Sequence, residues 1–414
     1  MRFLKKLLLT IGLIVLLACL KIILKSTHAS SIIFYYNFCS SLQLLLLAGV
    51  VFTGLLENTV LAKAPPAARR RKSFLFFITL LAFMELSCYF LTRHPQMIPG
   101  KIVSDFREYY NNYQRDILQY NKNISRYDTA LFYRMKSNNR SLFSNIEFSD
   151  SVFTNEQGFR DDELSLKKAQ IICLGDSYTL GWGVQQEETY SQQLEKALKV
   201  PVLNTGMSSY GTAREIESIR QLDKKNLTSL IIQYCYNDAD ENEAYIKNHY
   251  RLPISPESIY DSSSDLLKWS RIYFPGKYSC TLFKLFLTEK LQSFIAGSRA
   301  KNEPVPSQQP TNDDKNARSF IEILKVSGLD FTKIHLFVFD IGEYYNLNEE
   351  FVFALENQLR TPENKSFFKD HIHVLHIKPL LTPSDYYVLD IHIKASGHRK
   401  IAEYLAGFIK AVQY

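Results

Sequence analysis

Ile171-Ile172-Cys173-Leu174-Gly175-Asp176-Ser177-Tyr178-Thr179-Leu180 is the stretch on which the reading of this 414-residue chain turns. Four apolar residues suited to a buried strand run directly into Gly175-Asp176-Ser177, and a helix-compatible run follows. A serine at such a junction stands at the edge of a sheet, where a nucleophile can be presented. The tripeptide is common by chance, so its meaning depends on what surrounds it.

Working outward, short apolar runs alternate with amphipathic ones. Strands are expected at Ile171–Leu174, Val202–Asn204, Leu230–Tyr234, Ile334–Phe339 and Ile372–Ile377. Helices are expected at Glu188–Leu198, Ala213–Lys224, Ala317–Val326, Glu349–Gln358 and Ala395–Ala411, the last with Ile401, Leu405, Phe408 and Ile409 on one face. Short apolar strands separated by helices predict an α/β domain with a parallel sheet covered on both faces. Ligands of such sheets bind beyond the carboxyl ends of the strands. Ser177, Gly206 and Asn237 each follow a strand at that end, which points to one shared site.

A serine hydroxyl becomes a nucleophile when a base takes its proton and donors hold the oxyanion that forms. His392 is the candidate base. Asp390 lies two residues earlier and, in an extended segment, on the same side, where it can orient the imidazole. The Ser177 and Gly206 backbone N–H groups and the Asn237 side-chain amide are candidate oxyanion donors. Taken singly each has an ordinary reading: a turn for Gly206, a cap for Asn237, a surface pair for Asp390 and His392. Their order and placement together argue for chemistry. Asp385 is an alternative orienter and His398 an alternative base, although a histidine inside the following helix is more often structural. His371, His373 and His376 lie on or beside a strand without a complementary ligand set, so no metal is expected.

This constellation resembles the SGNH hydrolase superfamily, the GDSL-type esterases and lipases, over about residues 150–414. Gly175-Asp176-Ser177-Tyr178-Thr179 matches its first motif, Asn204-Thr205-Gly206 its second, Tyr236-Asn237-Asp238 its third, and Asp390-Ile391-His392 with Ala395-Ser396-Gly397-His398 its fourth. Gly181-Trp182-Gly183-Val184 and Tyr210-Gly211-Thr212 look like a bacterial membrane-associated subgroup. The family's Asp-x-x-His spacing is shortened here to Asp-x-His. The resemblance implies a three-layer α/β/α, flavodoxin-like domain with a small parallel sheet. It implies acyl transfer through an acyl-enzyme on Ser177, with His392 as base and then acid, and no metal or organic cofactor. Ester hydrolysis of an acylated small molecule, lipid or envelope glycan is the first reading. O-acyl transfer to an envelope polysaccharide, requiring a membrane partner, is the second, and a non-catalytic envelope scaffold the third.

The formal net charge is +7. Residues 1–93 carry +9 of it, so the remainder is slightly acidic, which gives no footing for nucleic-acid binding by that part. Three apolar stretches, roughly Leu7–Leu24, Ile32–Leu56 and Ser73–Leu91, approach the length of a bilayer span. Lys21 can snorkel from the end of the first, and Glu85 inside the third calls for a helix or interface partner. Lys63, Arg69, Arg70, Arg71 and Lys72 fill the loop before the third stretch, so the positive-inside rule places that loop and the N-terminus in the cytoplasm. Three crossings then put residues 94–414 on the periplasmic or outer side. A signal peptide ending near Ala18, with Leu16-Leu17-Ala18-Cys19 as a lipobox-like site, and a chain with fewer crossings remain as alternatives. The expected organisation is therefore a membrane region over 1–93, a connector with one or two helices over 94–150, and the catalytic domain over 151–414. A variable insertion is expected around 245–315, with a mobile loop at 301–315. Its apolar part, Trp269–Phe286, suits a helical decoration on the domain, a cover for the site or a membrane-facing element. The six cysteines read as free, buried thiols.

Overall fold

The computed structural model describes residues 2–25, 31–299, 312–342 and 348–413. Two compact units divide the chain: Met1–Arg115 with Ser262–Pro304, and Asp116–Asp261 with Val305–Tyr414. The segment expected as a connector, 94–150, is thus shared between them. Most of the segment expected as a mobile loop lies outside the described residues.

In the second unit, the apolar runs form a five-stranded sheet. Its strands are β1 (Ile171–Leu174), β2 (Val202–Asn204), β3 (Ser229–Tyr234), β4 (His335–Asp340) and β5 (Ile372–Leu375). All four pairings are parallel and the order is β2-β1-β3-β4-β5, that of a doubly wound sheet. Because successive side chains point to opposite faces, each strand supplies two cores. Ile172, Leu174, Leu230, Ile232, Leu336 and Val338 pack with Ile216, Phe320, Leu324 and Leu355 on one side. Ile171, Cys173, Ile231, Phe337 and Phe339 pack with Leu194, Ile401, Leu405 and Ile409 on the other. The result is the expected α/β/α layering, with the inner strands buried on both faces and the edge strand β5 only partly covered. The Tyr190–Leu198 and Ala395–Gln413 helices lie on one face, and the Asn312–Val326 and Glu350–Leu359 helices on the other.

The segment expected to hold one or two helices does hold one, Val103–Tyr113, but residues 116–153 depart from that expectation. They form two antiparallel ribbons, Ser125–Asp128 with Phe132–Met135 and Arg140–Ser144 with Ser149–Phe153. Tyr133, Met135, Phe143 and Val152 turn inward at alternating positions and bury against Leu180, Trp182 and Tyr210. Tyr133 and Phe143 are thus strand residues of a small third core that also takes in Leu180 and Trp182 of the serine turn and its following loop.

The first unit contains α1 (Arg2–Lys25), α2 (Ile32–Asn58) and α3 (Pro66–Arg93). Among the described residues, α2 and α3 are long and apolar enough to cross a membrane, and the apolar run Thr10–Ile23 of α1 is shorter. Lys21 has protein partners. Its ammonium lies 3.4 Å from Gln43 Oε1 and 4.3 Å from the centroid of the Tyr36 ring, so a neighbouring helix supplies the polar and cation–π contacts that water would. Trp269 and Phe274 pack on Phe34 at centroid distances of 6.1 and 5.8 Å. The apolar part of the insertion therefore joins these N-terminal helices and is not a decoration of the sheet. The cysteines are free, as read, but Cys19 is exposed and Cys88 only partly covered, both on apolar helices.

Candidate active site

The serine turn is built from glycine outward. A Cβ on Gly175 would run into Thr179 Oγ1 and lie 2.6 Å from Gln233 Oε1, at a φ of +155°, so only glycine lets β1 end this tightly. Gln233, buried on β3, accepts the Asp176 N–H at 3.2 Å and the Thr179 hydroxyl at 3.0 Å. Asp176 then caps the four-residue helix Ser177–Leu180 by accepting the Tyr178 N–H at 3.0 Å. Ser177 is the first residue of that helical turn, where backbone N–H groups have no intrahelical acceptor.

His392 comes from the other end of the chain. Its Nε2 lies 2.7 Å from Ser177 Oγ, and its Nδ1 lies 2.5 Å from Asp390 Oδ1. All three side chains are buried, with Ser177 retaining 8% exposure. The serine, imidazole and carboxylate thus form one hydrogen-bonded chain, the arrangement in which an imidazole can take a hydroxyl proton. The segment is not extended as expected. Residues 388–392 form a bend, and Asp390 Oδ1 accepts both the His392 backbone N–H, at 3.1 Å, and the ring N–H. A local Asx-type turn, which needs Asp two residues before its partner, accounts for the short spacing.

Three further residues hold this pair: Trp182, whose sequence motif gave it no role, and Glu147 and Arg160, which no motif marks. Trp182 donates its indole N–H to Asp390 Oδ2 at 3.2 Å and stacks on the imidazole, with ring centroids 4.8 Å apart and 16° between planes. Glu147, at the tip of the second ribbon, accepts the N–H groups of Val388, Leu389 and Asp390 at 2.7, 2.7 and 2.8 Å. Burial pushes its carboxyl upward, and those three donors oppose the shift. Arg160 is 1% exposed and donates to the carbonyls of Leu180, Gly181, Ser151 and Val184 at 2.6–3.2 Å, as well as to Asp150 at 3.3 Å. Burial pushes Asp150 up to about 7 against the pull of that guanidinium. Arg160 thereby fixes the Gly181-Trp182-Gly183-Val184 loop that carries the tryptophan. Glu147 and Arg160 make no periodic or motif-like signal, because each acts mainly through backbone groups distant in sequence.

The candidate oxyanion donors are placed less uniformly. Asn237 stands at the N-cap position of the Asp238–Lys247 helix without a side-chain capping bond, and its amide donates instead to Asp176 Oδ2 at 3.4 Å, so it reaches the residue preceding the serine. Burial pushes the Asp176 carboxyl upward, while the Tyr178 N–H and the nearby His392 pull it down. Gly206 packs against the serine helix, where a Cβ would overlap Leu180 N and lie 2.6 Å from the Thr179 carbonyl carbon. Its N–H, however, donates to Asn204 Oδ1 at 3.0 Å.

The alternatives find other employment. Asp385 accepts from Thr382, Ser396 and Lys400 at 2.6–2.8 Å. Although burial opposes it, those donors hold its carboxyl down at about 2. His398 is fully buried and its Nδ1 accepts the Tyr190 N–H at 3.2 Å. Burial, with the Arg160 and His392 charges adding to it, lowers His398 to about 3, so it is a neutral structural imidazole. His376 lies between Glu349 and Glu356 at 2.8 and 3.2 Å, while His371 and His373 neighbour His335. Among the described residues, no group of three or more His, Cys, Asp or Glu side chains is arranged to hold a metal ion.

No protein-family model matches this chain, and no curated protein matches it. Solved structures overlay it weakly. A protein assigned as lipolytic, of the G-D-S-L family, from Desulfitobacterium hafniense DCB-2 shares 13% identity at a TM-score of 0.30, covering 57% of this chain and 97% of that one. The lipase Lip_vut3 from a goat rumen metagenome shares 16% identity at a TM-score of 0.29, covering 59% and 97%. Likeness at that level carries no chemistry, which rests on the side chains above.

Proposed function

We propose that this chain is a serine-dependent ester hydrolase working through an acyl-enzyme on Ser177. The observation that carries the reading is the buried chain from Ser177 Oγ through the His392 imidazole to Asp390. In the proposed reaction Ser177 Oγ attacks the ester carbonyl carbon as its proton passes to His392 Nε2. The imidazolium is held by Asp390, and Trp182 shares that carboxylate through its second oxygen. The carbonyl oxygen becomes an oxyanion near the Ser177 N–H and the Asn237 amide, each such donor contributing about 3 kcal/mol in comparable sites. Gly206 joins them when its N–H leaves Asn204. Collapse breaks the ester C–O bond, the departing alkoxide takes the proton from His392, and a water repeats the sequence in reverse to release the acid.

The substrate class we propose is an acyl ester of the cell envelope, on a glycan or a lipid, with acetyl as the first acyl group to try. The apolar length of α2 and α3 and the basic 63–72 loop favour an exported site anchored in the cytoplasmic membrane. The test is hydrolysis of acetyl and longer acyl esters by the full-length protein in detergent, with Ser177→Ala alongside and a fluorophosphonate probe as a second readout. Labelling and acid release that both vanish in Ser177→Ala are expected. Ester formation only when a sugar acceptor is added would reassign the chain to acyl transfer, and unchanged activity in Ser177→Ala would remove the mechanism.

A further inference from the structure

Two oddities of the sequence meet in the first unit: a carboxylate inside an apolar helix, Glu85, and an apolar stretch, Trp269–Phe286, far from the N-terminal helices in sequence. Glu85 is buried in α3. Its Oε1 accepts the Tyr278 N–H at 3.2 Å, and its Oε2 accepts the Ser279 N–H at 2.9 Å and the Ser279 hydroxyl at 2.6 Å. It therefore satisfies the opening donors of the Ser279–Arg299 helix. On α2, the Ser41 hydroxyl donates to the Gly276 carbonyl at 3.2 Å. Gly276 has φ +79°, and a Cβ there would lie 2.8 Å from Cys280 Sγ and 3.3 Å from Ser41 Oγ, so glycine permits the approach. Buried Lys277 turns back to the carbonyls of Ser270 and Ile272 at 2.9 and 3.2 Å, closing the end of the preceding helix. The turn between the two helices thus has protein partners for its polar groups.

The depth of that turn follows from the two helices it touches. Glu85 lies thirteen residues beyond Lys72, and Ser41 sixteen before Glu57, the polar flanks at the same end of α3 and α2. At a rise of about 1.5 Å per residue these are about 20 and 24 Å. A hydrocarbon core is about 30 Å thick, so both contacts fall about 6–10 Å short of its far boundary. Irregular backbone at such depth is tolerated only where protein satisfies it, which is what Glu85, Ser41 and Lys277 do. Around the turn, Ile272, Tyr273, Phe283, Phe286, Leu287 and Leu291 are exposed. The helix then returns to polar surroundings, where Ser104 Oγ donates to Glu289 Oε2 at 3.4 Å.

We infer that residues 270–291 form a re-entrant hairpin that dips into the outer leaflet, with Glu85 as its intramembrane anchor and lipid acyl chains as the partner of its exposed apolar side chains. The inference rests on α2 and α3 crossing a bilayer and is independent of the ester chemistry. The sequence holds two tryptophans, Trp182 and Trp269, so a Trp182→Phe, Trp269→Phe background accepts single reporters. Full-length protein in phosphatidylcholine vesicles brominated at shallow or central acyl positions is compared for Tyr273→Trp, Phe83→Trp on α3 and Phe353→Trp in the sheet unit. Tyr273→Trp is expected to lose about half its emission to shallow bromines, as for a side chain 5–10 Å deep. Phe83→Trp should respond most to central bromines, and Phe353→Trp to neither. Tyr273→Trp as insensitive as Phe353→Trp, with Phe83→Trp quenched, overturns the hairpin. An unquenched Phe83→Trp overturns the membrane span on which it rests. Adding Glu85→Ala should lower the shallow quenching of Tyr273→Trp; unchanged quenching would remove Glu85 as the anchor.

Discussion

Glu147 Oε2 accepts the Asp390 N–H at 2.8 Å, so the tip of an antiparallel ribbon holds the residue that is bonded to the His392 imidazole. The same carboxylate takes the two preceding N–H groups. A loop with no strand of its own is thereby given a fixed geometry. Glu147→Gln keeps the side chain's size but loses the charge and one strong acceptor, a change of about 1.5–3 kcal/mol for a charged hydrogen bond. A fall in kcat of about tenfold or more with KM little altered is the expected outcome. A fall confined to KM would mean that Glu147 shapes the substrate surface and not the imidazole.

Asp390→Asn tests the orienting bond directly. The amide can present its N–H to His392 Nδ1, which fixes the wrong tautomer and leaves Nε2 protonated against Ser177. A loss in kcat of about a thousandfold or more is expected, as in other triads, with thermal stability near that of the parent. Activity equal to the parent would take Asp390 out of the mechanism.

Gly206→Ala separates packing from chemistry. The new Cβ meets the backbone of Thr179 and Leu180, which cannot move without moving Ser177. A destabilisation of about 1–3 kcal/mol is expected from such overpacking, read as a lower midpoint in thermal unfolding. Fluorophosphonate labelling of Ser177 should slow in parallel. Unchanged stability would show that the serine helix shifts freely, contrary to its tight contact.

His398 carries a pH prediction. Burial holds its folded-state value at about 3, below the ordinary 6.5, so the unfolded chain binds this proton first. The stability is fully present above 6.5 and is lost progressively as pH falls from there toward 3. Between pH 7.5 and 5 the loss is about 2 kcal/mol. His398→Asn keeps an acceptor for the Tyr190 N–H and removes the titration. Thermal midpoints of the two proteins should therefore converge as pH is lowered over that interval. Parallel pH profiles would show that His398 titrates alike in the folded and unfolded chain, contrary to its burial.

The parallel sheet was legible because its inner strands are almost wholly buried and read as short apolar runs, each closed by a turn. Ile171–Leu174 and Val202–Asn204 appear in the structure with the expected ends, and Ser177, Asp390 and His392 meet as anticipated. The ribbons at 125–153 were not legible. Strands of four or five residues, half exposed, lack the length over which period-two alternation stands out. Glu147 and Arg160 were invisible for another reason. They bind carbonyls and N–H groups, which any sequence supplies, so only the folded path shows what they hold. The role of Glu85 needed a partner nearly two hundred residues away.

Ser177 and His392 are 215 residues apart along the chain, and the helix that follows the histidine completes one face of the sheet. At synthesis rates of about 5–20 residues per second, the serine emerges about 10–40 s before its imidazole exists. The growing polypeptide therefore holds an ordinary, uncoupled hydroxyl throughout that interval, and the site arms itself only after the fifth strand of the sheet has been made.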